Sequence, residues 1–400
     1  AESPRAVQSD SELVERIDVL VREEKHLEAA RLIRKIRDLS LVTDSHRKLL
    51  DTAGIIERAV GDLLSSPRDE CEWIKQGESH GRYDFTIYYK IGDGAELKCR
   101  IESPVPSDLL VPLLSVLNES GLYQTWIPSW QTPFRLGVQE SQQLLLHEYE
   151  HDHEHDRRGH QVIQVSVAVP WPMKPREALF SVQAVDDIDE NGFIVATMTT
   201  LNDKTEDGRA VIESLPTGFE VPPPASGMER CDFDGAVLFR NCPEHHPNYA
   251  ASKSKFPHRD LILLQFTMQF DAKMAMVPKS TINFVTRTAL GVVWNMLLRV
   301  AEDVRDGNRE EHRRVISEKA DFYRWVEERC EYMLHAISSG GGGVSDGDGT
   351  AANVTPNRGN ELQHKQRQQQ QQQQDDRKEE HSGQTNDRKE VARPWTLQEV

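Results

Sequence analysis

One stretch of the chain concentrates residue types that bind metal ions. Residues 147–160, HEYEHDHEHDRRGH, hold five histidines among five acidic residues. Imidazole and carboxylate groups are metal ligands, but a metal site needs ligands held in a fixed geometry, and HxHxH alternation in a charged turn does not provide one. We interpret the stretch as a solvated hairpin tip with adventitious metal affinity, and predict neither a metal site nor a cofactor.

The sequence also lacks the common catalytic motifs. It contains no GxSxG, no HExxH, no Walker loop and no Cys and His placed as a nucleophile pair. The cysteines are odd in number, widely spread and never spaced as CxxC, which indicates neither a zinc site nor a disulfide framework and favours a reducing compartment. We predict that the chain is not an enzyme. The five cysteines are Cys71, Cys99, Cys231, Cys242 and Cys330.

Charge and hydropathy restrict the partners further. The 400 residues carry a formal net charge of -17, which disfavours general nucleic-acid binding because phosphate contacts need clustered Lys and Arg. There is no run of 18 apolar residues, and the first residues, AESPRAVQSD, are neither basic nor followed by a hydrophobic core. We therefore predict no membrane span, no signal peptide and a cytoplasmic location.

Helical periodicity marks the first part of the chain. Apolar residues recur at spacings of three and four from Leu13 to Ile36 and again from Leu49 to Leu64, which predicts two or three helices. Asp10 or Ser11 is the expected first N-cap. We predict that residues 1–70 form a helical extension packed on the following domain, with an independent partner-binding module as the alternative.

The period then changes to two. The segments DFTIYYKI and AELKCRIE, joined by GDG, predict a hairpin. In the first strand one face carries Phe85, Ile87, Tyr89 and Ile91. In the second strand Ala95, Leu97, Cys99 and Ile101 lie on the face opposite Glu96, Lys98, Arg100 and Glu102. The next segment, SPVPSDLLVPLLSVLNES, predicts a helix with a Pro-rich start. Further strands are expected over QVIQVSVAV, ALFSVQAVD, FIVATMTTL, CDFDGAVLFRN and DLILLQFTMQF. Their short spacing predicts an antiparallel sheet of about eight or nine strands with one apolar face.

A long amphipathic helix follows the last strand, from Val277 to Asp306. Pro278 suits its first turn and Gly307 its C-terminal cap. Another helix is predicted over residues 307–338, docked outside the sheet or against the N-terminal helices. Residues 339–400, rich in Gly and Gln, with seven consecutive glutamines from Gln368 to Gln374, are predicted to be disordered.

A curved sheet closed by one long amphipathic helix encloses a space too wide for side chains alone to fill, so a hydrophobic cavity is expected. In the alternative, Phe266, Phe270, Phe284, Met268 and Met296 fill that space as a solid core. The predicted lining residues from the strands and the helix are Val165, Val167, Ala196, Met198, Phe239, Phe266, Met268, Ile282, Val285, Ala289, Val292 and Met296.

Four features, in this order, resemble the START (StAR-related lipid transfer) domain of the helix-grip class. They are EWIKQGESHGRYDFTIYYKIGDGAELKCRIE, SGLYQTWIPSW, VPWPMKPREALF with its WPxxxR element, and QFTMQFDAKMAMVPKSTINFV. The resemblance covers residues 71–306 and implies an α+β helix-grip fold, a strongly curved antiparallel sheet closed by the long helix. It adds Trp126, Trp171 and Arg176 to the expected cavity residues. Arg176 is expected to pair with Asp186 or Asp187, or to cap a strand end.

The resemblance implies a function as well. We predict a non-enzymatic protein that binds a lipid or sterol in its cavity and carries or senses it through transient contact with membranes. Two alternatives stay open. One is a helix-grip enzyme of the cyclase or hydrolase type, and the other is a lipid-gated scaffold whose N-terminal helices or C-terminal tail bind a protein partner.

Overall fold

The computed structural model describes residues 9–23, 25–67, 72–91, 96–132, 135–144, 159–169, 174–216, 218–271 and 284–339. Several sequence predictions concern residues outside these ranges. The hairpin turn at 92–95, most of the His-rich stretch, Trp171, the first part of the closing helix with Ile282, and the tail from residue 340 lie outside the described residues.

Nine strands form one sheet in the order β1-β2-β3-β9-β8-β7-β6-β5-β4. Neighbours in this order are antiparallel, and a short parallel pairing joins the start of β6 to the start of β8. The predicted antiparallel α+β fold is confirmed. The strands are β1 (Ile74–His80), β2 (Asp84–Ile91), β3 (Glu96–Pro106), β4 (Gly137–Leu144), β5 (His160–Ala168), β6 (Arg176–Asp187), β7 (Phe193–Thr200), β8 (Glu229–Asn241) and β9 (Leu261–Asp271).

Strand β3 is longer than predicted. Residues 103–106, expected to start a helix, continue the strand and pair with β9 from Leu264 to Leu261. The pairing of β2 with β3 ends at Glu102, so beyond this residue β3 is paired only with β9. A proline in this part of β3 therefore interrupts no hydrogen bonds to β2. Helix α4 (Leu110–Asn118) begins only after a 3-10 turn at Ser107–Leu109.

Three N-terminal helices precede the sheet: α1 (Asp10–Arg22), α2 (His26–Ile33) and α3 (Asp44–Leu64). The N-cap of α1 is Ser9, so the prediction of Asp10 or Ser11 was wrong. Ser9 Oγ accepts a hydrogen bond from the Glu12 amide at 3.3 Å, and the Glu12 carboxylate accepts from the Ser9 amide at 2.8 Å. This capping box satisfies two free amides, while the Asp10 carboxylate accepts from the amides of Arg37 and Asp38.

Helices α2 and α3 cover the outer face of the sheet. Apolar side chains from both helices contact outward-pointing residues of β6, β7 and β8. The sheet therefore has two apolar faces where the sequence predicted one. The buried residues of this outer cluster are Leu27, Ala30, Ala53, Ile56, Leu63, Val185, Phe193, Val195, Ala236 and Leu238.

A buried charge joins α3 to the sheet. Arg100, on the outer face of β3, is 2% exposed and donates hydrogen bonds to the carbonyls of Asp62 at 2.6 Å and of Leu63 and Ser65 at 2.7 Å. Carbonyls in the last turn of a helix lack intrahelical partners, and a cation is favourable there. Arg100 also pairs with Glu102 at 2.6 Å. This pair therefore anchors the C-terminus of α3 to the sheet.

The inner face carries the larger core, covered by α4, α9 (Leu290–Arg305) and α11 (Ala320–Ser339). Helix α9 follows a π-helical turn at Val285–Ala289, and the predicted cap Gly307 has the left-handed φ of 74° that ends it. Two helices, α10 (Glu310–Glu318) and α11, replace the single helix predicted over 307–338. The other described α-helices are α5 (Tyr123–Trp126), α6 (Ile188–Asn191), α7 (Glu206–Ser214) and α8 (Tyr249–Lys255).

Glu102 makes the anchor sensitive to acid. Burial alone would raise the pKa of its carboxyl, but His246 and the neighbouring Arg100 outweigh that effect and lower the pKa to about 2, from an ordinary 4.5. A lowered folded-state pKa contributes stability that is complete above about pH 4.5 and is lost as the pH falls towards 2. The contribution is on the order of 3 kcal/mol.

We expect Glu102→Gln to lower the free energy of unfolding by about 3–5 kcal/mol, because it leaves Arg100 as a buried charge without its carboxylate. Urea unfolding at pH 7 measures this loss, and the variant should also lose less stability than the wild type between pH 4.5 and 3. Glu96→Gln, whose carboxylate lies 3.8 Å from Lys98 in a partly exposed pair, is the control and should cost less than about 1 kcal/mol. Equal losses in the two variants would contradict the anchor.

Candidate functional site

A cavity of about 150 Å³ lies on the inner face of the sheet, beneath α4 and α11. Strands β5 to β9 form its floor, and α4, α5 and α11 form its roof. The floor residues are Gln161, Val182, Ala184, Ile194, Ala196, Met198, Val237, Phe239 and Phe266. The roof residues are Leu114, Leu117, Asn118, Tyr123, Phe322, Tyr323, Trp325, Val326, Arg329 and Cys330.

Small residues leave room above the floor where β6 and β7 pair. Ala184 lies opposite Ala196, and both line the cavity, so the volume that larger side chains would occupy there is left to it. Gly235 lies opposite Met198 across β7 and β8. A Cβ atom at Gly235 would come within 2.5 Å of the Thr267 carbonyl oxygen, so only glycine fits this position.

Helix α11 presents one face to the cavity. Phe322, Val326 and Cys330 recur every four residues, a spacing that aligns side chains on one side of a helix. The prediction that this helix docks outside the sheet or on the N-terminal helices was wrong, because its apolar face packs with α4 on the inner core.

Two groups of polar contacts hold the roof in place. At the start of α11, Lys319 Nζ lies 2.8 Å from the carboxylate of Glu119, just after α4, and Tyr323 donates a hydrogen bond to the same carboxylate. Farther along, Arg329 pairs with Asp186, and its Nη2 lies 3.1 Å from Asp189. The roof helix is therefore tied to α4 and to the turn after β6.

We call residues 186–190, with the sequence DDIDE, the acidic turn; they comprise the end of β6 and most of α6. It receives basic side chains from both ends of the chain. Lys25 lies 3.0 Å from Asp189 and Arg31 lies 3.3 Å from Asp187. Burial opposes ionisation of Asp189, but hydrogen bonds from Lys25 and Arg329 lower its pKa, whereas burial raises the pKa of Asp187. The acidic turn thus joins the N-terminal helices to the roof.

The wall of the cavity is apolar and presents no unpaired charge. Burial raises the pKa values of Tyr123 and Tyr323, and raises the pKa of the Cys330 thiol to about 12, so all three stay neutral at pH 7. The charges in the wall, on Asp186 and Arg329, pair with each other. The described wall contains no histidine.

Four of the predicted cavity residues lie in this wall: Ala196, Met198, Phe239 and Phe266. Val165 and Val167 lie farther along the same face, with Ile163, Ala178, Phe180 and Cys231, in a cluster that Met198 and Val182 join to the cavity. The apolar surface of the cavity therefore continues towards β4 and β5.

Arg176, the first residue of β6, does not have the predicted partner. Its Nη1 lies 3.0 Å from Glu229 and donates to the carbonyl of Lys174 at 2.7 Å. Asp186 and Asp187 stand ten and eleven positions later, at the other end of β6, roughly 33 Å away at 3.3 Å per residue. The expected pairing with either aspartate was wrong.

The other predicted cavity residues lie outside this wall. Helix α9 faces β2, because a Cβ on Gly291 would lie 3.8 Å from Ile87. It also faces β9, where the centroid of the Phe266 ring lies 6.1 Å from that of the Trp294 ring. Ligand contact by these residues stays a prediction. They are Trp126, Met268, Val285, Ala289, Val292 and Met296, with Trp171 and Ile282 outside the described residues.

Sequence reasoning missed two kinds of wall residue. The spacing of Phe322, Val326 and Cys330 was visible, but it does not say which surface the helix covers. Asn118 and Gln161 carried no signal, because a polar residue at the end of a helix or the start of a strand is usually solvated.

No protein-family model and no curated protein matches the chain. Solved structures similar to it include human STARD10, with 13% identity, a TM-score of 0.37, and coverage of 62% of this chain and 78% of that one. A STAR-related lipid transfer protein from Xanthomonas axonopodis has 15% identity, a TM-score of 0.35, and coverage of 57% and 98%. The human StarD13 (DLC2) lipid transfer and protein localization domain has 12% identity, a TM-score of 0.36, and coverage of 62% and 94%.

The fold assignment comes from the strand order and the covering helices of the chain itself. Within the described residues, no helix is long and apolar enough to cross a bilayer, and no cluster of His, Cys, Asp and Glu could hold a metal ion.

We expect Arg329→Met to loosen the roof while leaving the sheet intact, because it removes the ion pairs to Asp186 and Asp189 and keeps an apolar stem. The free energy of local opening should fall by about 1–2 kcal/mol, so amide hydrogen exchange across α11 should quicken about 5- to 30-fold. Exchange in β7 and β9 should not change.

The matched control is Arg324→Met on the exposed side of the same helix. Arg324 pairs at 3.0 Å with Asp321, one turn earlier, and both side chains are largely exposed. This control should change exchange by less than about threefold. If Arg329→Met behaves like Arg324→Met, the acidic turn does not hold the roof.

Proposed function

We propose that the chain binds a hydrophobic ligand, a lipid or a sterol, and carries or senses it at membranes without chemistry on the ligand. The observation that carries this proposal is the apolar cavity of about 150 Å³ between the inner face of the sheet and the roof helices. Each methylene group moved from water into such a wall gains about 0.8 kcal/mol.

The cavity is sized for part of a lipid. A dry apolar space of about 150 Å³ holds a benzene-sized group, which corresponds to one ring or a short stretch of acyl chain. The cluster around Val165 and Val167 extends the apolar surface beyond the cavity through Met198 and Val182. We infer that the cavity takes one end of the ligand and that the rest of the ligand lies along this surface.

A membrane is the reasonable source of such a ligand. A lipid leaves a bilayer at low cost only if its apolar part passes directly into another apolar environment. The roof helix α11 packs on the inner core through Val326, Cys330 and Met333 and is positioned by the ion pairs of Lys319 and Arg329. We infer that it is the element whose movement opens the cavity. We expect exchange to occur during transient contact of this face with a membrane.

The assignment to the START family is part of this proposal. It is supported by the four ordered sequence features and by an antiparallel sheet whose inner face is covered by helices. Two of the similar structures are named for lipid transfer. The four described cysteines are free and buried, which supports the proposed cytoplasmic location.

One observation favours a second function, the lipid-gated scaffold. The roof helix α11 leads directly into the Gly- and Gln-rich segment from residue 340. A ligand that shifts α11 would therefore change how this segment is presented to a protein partner.

The proposal is tested by native mass spectrometry and lipid extraction of the purified full chain, followed by uptake from labelled liposomes. Bound lipid in the purified protein, or saturable uptake, is the expected result. Recovery of no lipid together with no uptake would refute the proposal.

We expect Ala196→Phe to reduce lipid uptake by at least about tenfold, because its ring occupies the space that a ring-sized part of the ligand would fill. Ala251→Phe, on the exposed side of α8, adds the same ring away from the cavity and should leave uptake unchanged. Circular dichroism checks that both variants fold. If a folded Ala196→Phe takes up lipid as well as Ala251→Phe, the cavity is not the binding site.

A further inference from the structure

The chemistry of the ligand can be inferred from one buried series of hydrogen-bonded side chains in the wall, and this inference rests on the proposed function. Gln161, at the start of β5, is 7% exposed and lines the cavity. Its Nε2 donates to Asn118 Oδ1 at 2.8 Å. Its Oε1 is buried and has no hydrogen-bond partner among the described residues.

The orientation of the Gln161 amide follows from its neighbours. The Glu119 carboxylate can only accept, and it is fixed by Lys319 at 2.8 Å and by the hydroxyl of Tyr323. Asn118 must therefore turn its Nδ2 to Glu119, which it does at 3.0 Å, and its Oδ1 to Gln161. Gln161 must in turn give Asn118 its amino group, so the group left over is a carbonyl acceptor.

Both tyrosine hydroxyls in the wall already have acceptors. Tyr123 donates to the Leu117 carbonyl at 2.6 Å, and Tyr323 donates to Glu119. A buried acceptor without a partner costs about 1–3 kcal/mol, which a donor on the ligand would recover. A hydroxyl group on the ligand supplies such a donor.

The same wall disfavours anions. The one cation among the described wall residues, Arg329, is already paired with Asp186 and Asp189. A carboxylate or phosphate placed here would be desolvated without a counter-charge.

We infer that the cavity receives the hydroxyl-bearing end of an uncharged ligand, with the hydroxyl donating to Gln161 Oε1 and a ring-sized apolar group filling the space beneath α11. The class is a neutral alcohol, such as the hydroxyl end of a sterol or a phenolic ring. Free fatty acids and phosphate-bearing ends are excluded from this position.

The test uses three probes of nearly the same size on the delipidated full chain: 4-ethylphenol, ethylbenzene and 4-ethylbenzoate. Isothermal titration at pH 7 should show 4-ethylphenol binding about 2- to 12-fold tighter than ethylbenzene, and the benzoate at least tenfold weaker than ethylbenzene. This order is measured on the wild type, so it does not depend on the folding of any variant.

Gln161→Met removes the acceptor at similar volume. In this variant the hydroxyl loses Gln161 Oε1 as its acceptor, so the ratio of 4-ethylphenol to ethylbenzene affinity should fall at least about fivefold, while ethylbenzene binding should stay within about threefold of wild type. The variant thus separates loss of the hydrogen bond from loss of the cavity.

The outcomes are distinguishable. If ethylbenzene binds the wild type tighter than 4-ethylphenol, or the affinity ratio is unchanged in Gln161→Met, the inference is overturned and the proposed function stands. If no probe binds while lipid still co-purifies with the chain, the inference again fails alone. If no probe binds and no lipid is recovered or taken up, the proposed function fails with it.

Discussion

The structure depends on keeping the apolar inner face of one nine-stranded sheet away from water. Three helices from distant parts of the chain cover that face together. They are α4 between β3 and β4, α9 after β9, and α11 near the end of the described chain. They cover the face without filling it, because the small side chains of Ala184 and Ala196 leave space beneath α11. The cavity is therefore a consequence of how the sheet is covered.

Charge pairs decide where the covering elements sit. The acidic turn after β6 binds Arg31 from α2, Lys25 just before it, and Arg329 from α11. Arg100 does the same for α3 on the outer face by capping its last carbonyls. Hydrophobic contact is not directional, whereas these pairs fix position. Packing provides the stability of the fold, and the ion pairs set which helix lies over which strand.

The sequence predicted the parts of this structure that local pattern encodes. Alternation identified Phe239, Phe266, Ala196 and Met198 as inward-facing, because side chains in a strand switch faces at every residue. Pattern could not show that α11 rather than α9 lies over them, since Phe322, Val326 and Cys330 would fit any apolar surface. The sequence pattern also could not show that Arg100 and Glu102 are buried, because they are covered by α3, which is distant in sequence. The N-cap Ser9 was predictable from the sequence, because SDSE at residues 9–12 is a capping-box sequence.

The central claim is that a hydrophobic ligand lies between the inner face of the sheet and α11. The most direct measurement is photo-crosslinking of the full chain with a diazirine-bearing sterol, followed by peptide mapping. The account predicts labels in β7, β8 and β9 and on α11, at positions such as Met198, Phe266 and Val326. Labels confined to the exposed sides of the N-terminal helices, with none on these strands or on α11, would contradict it.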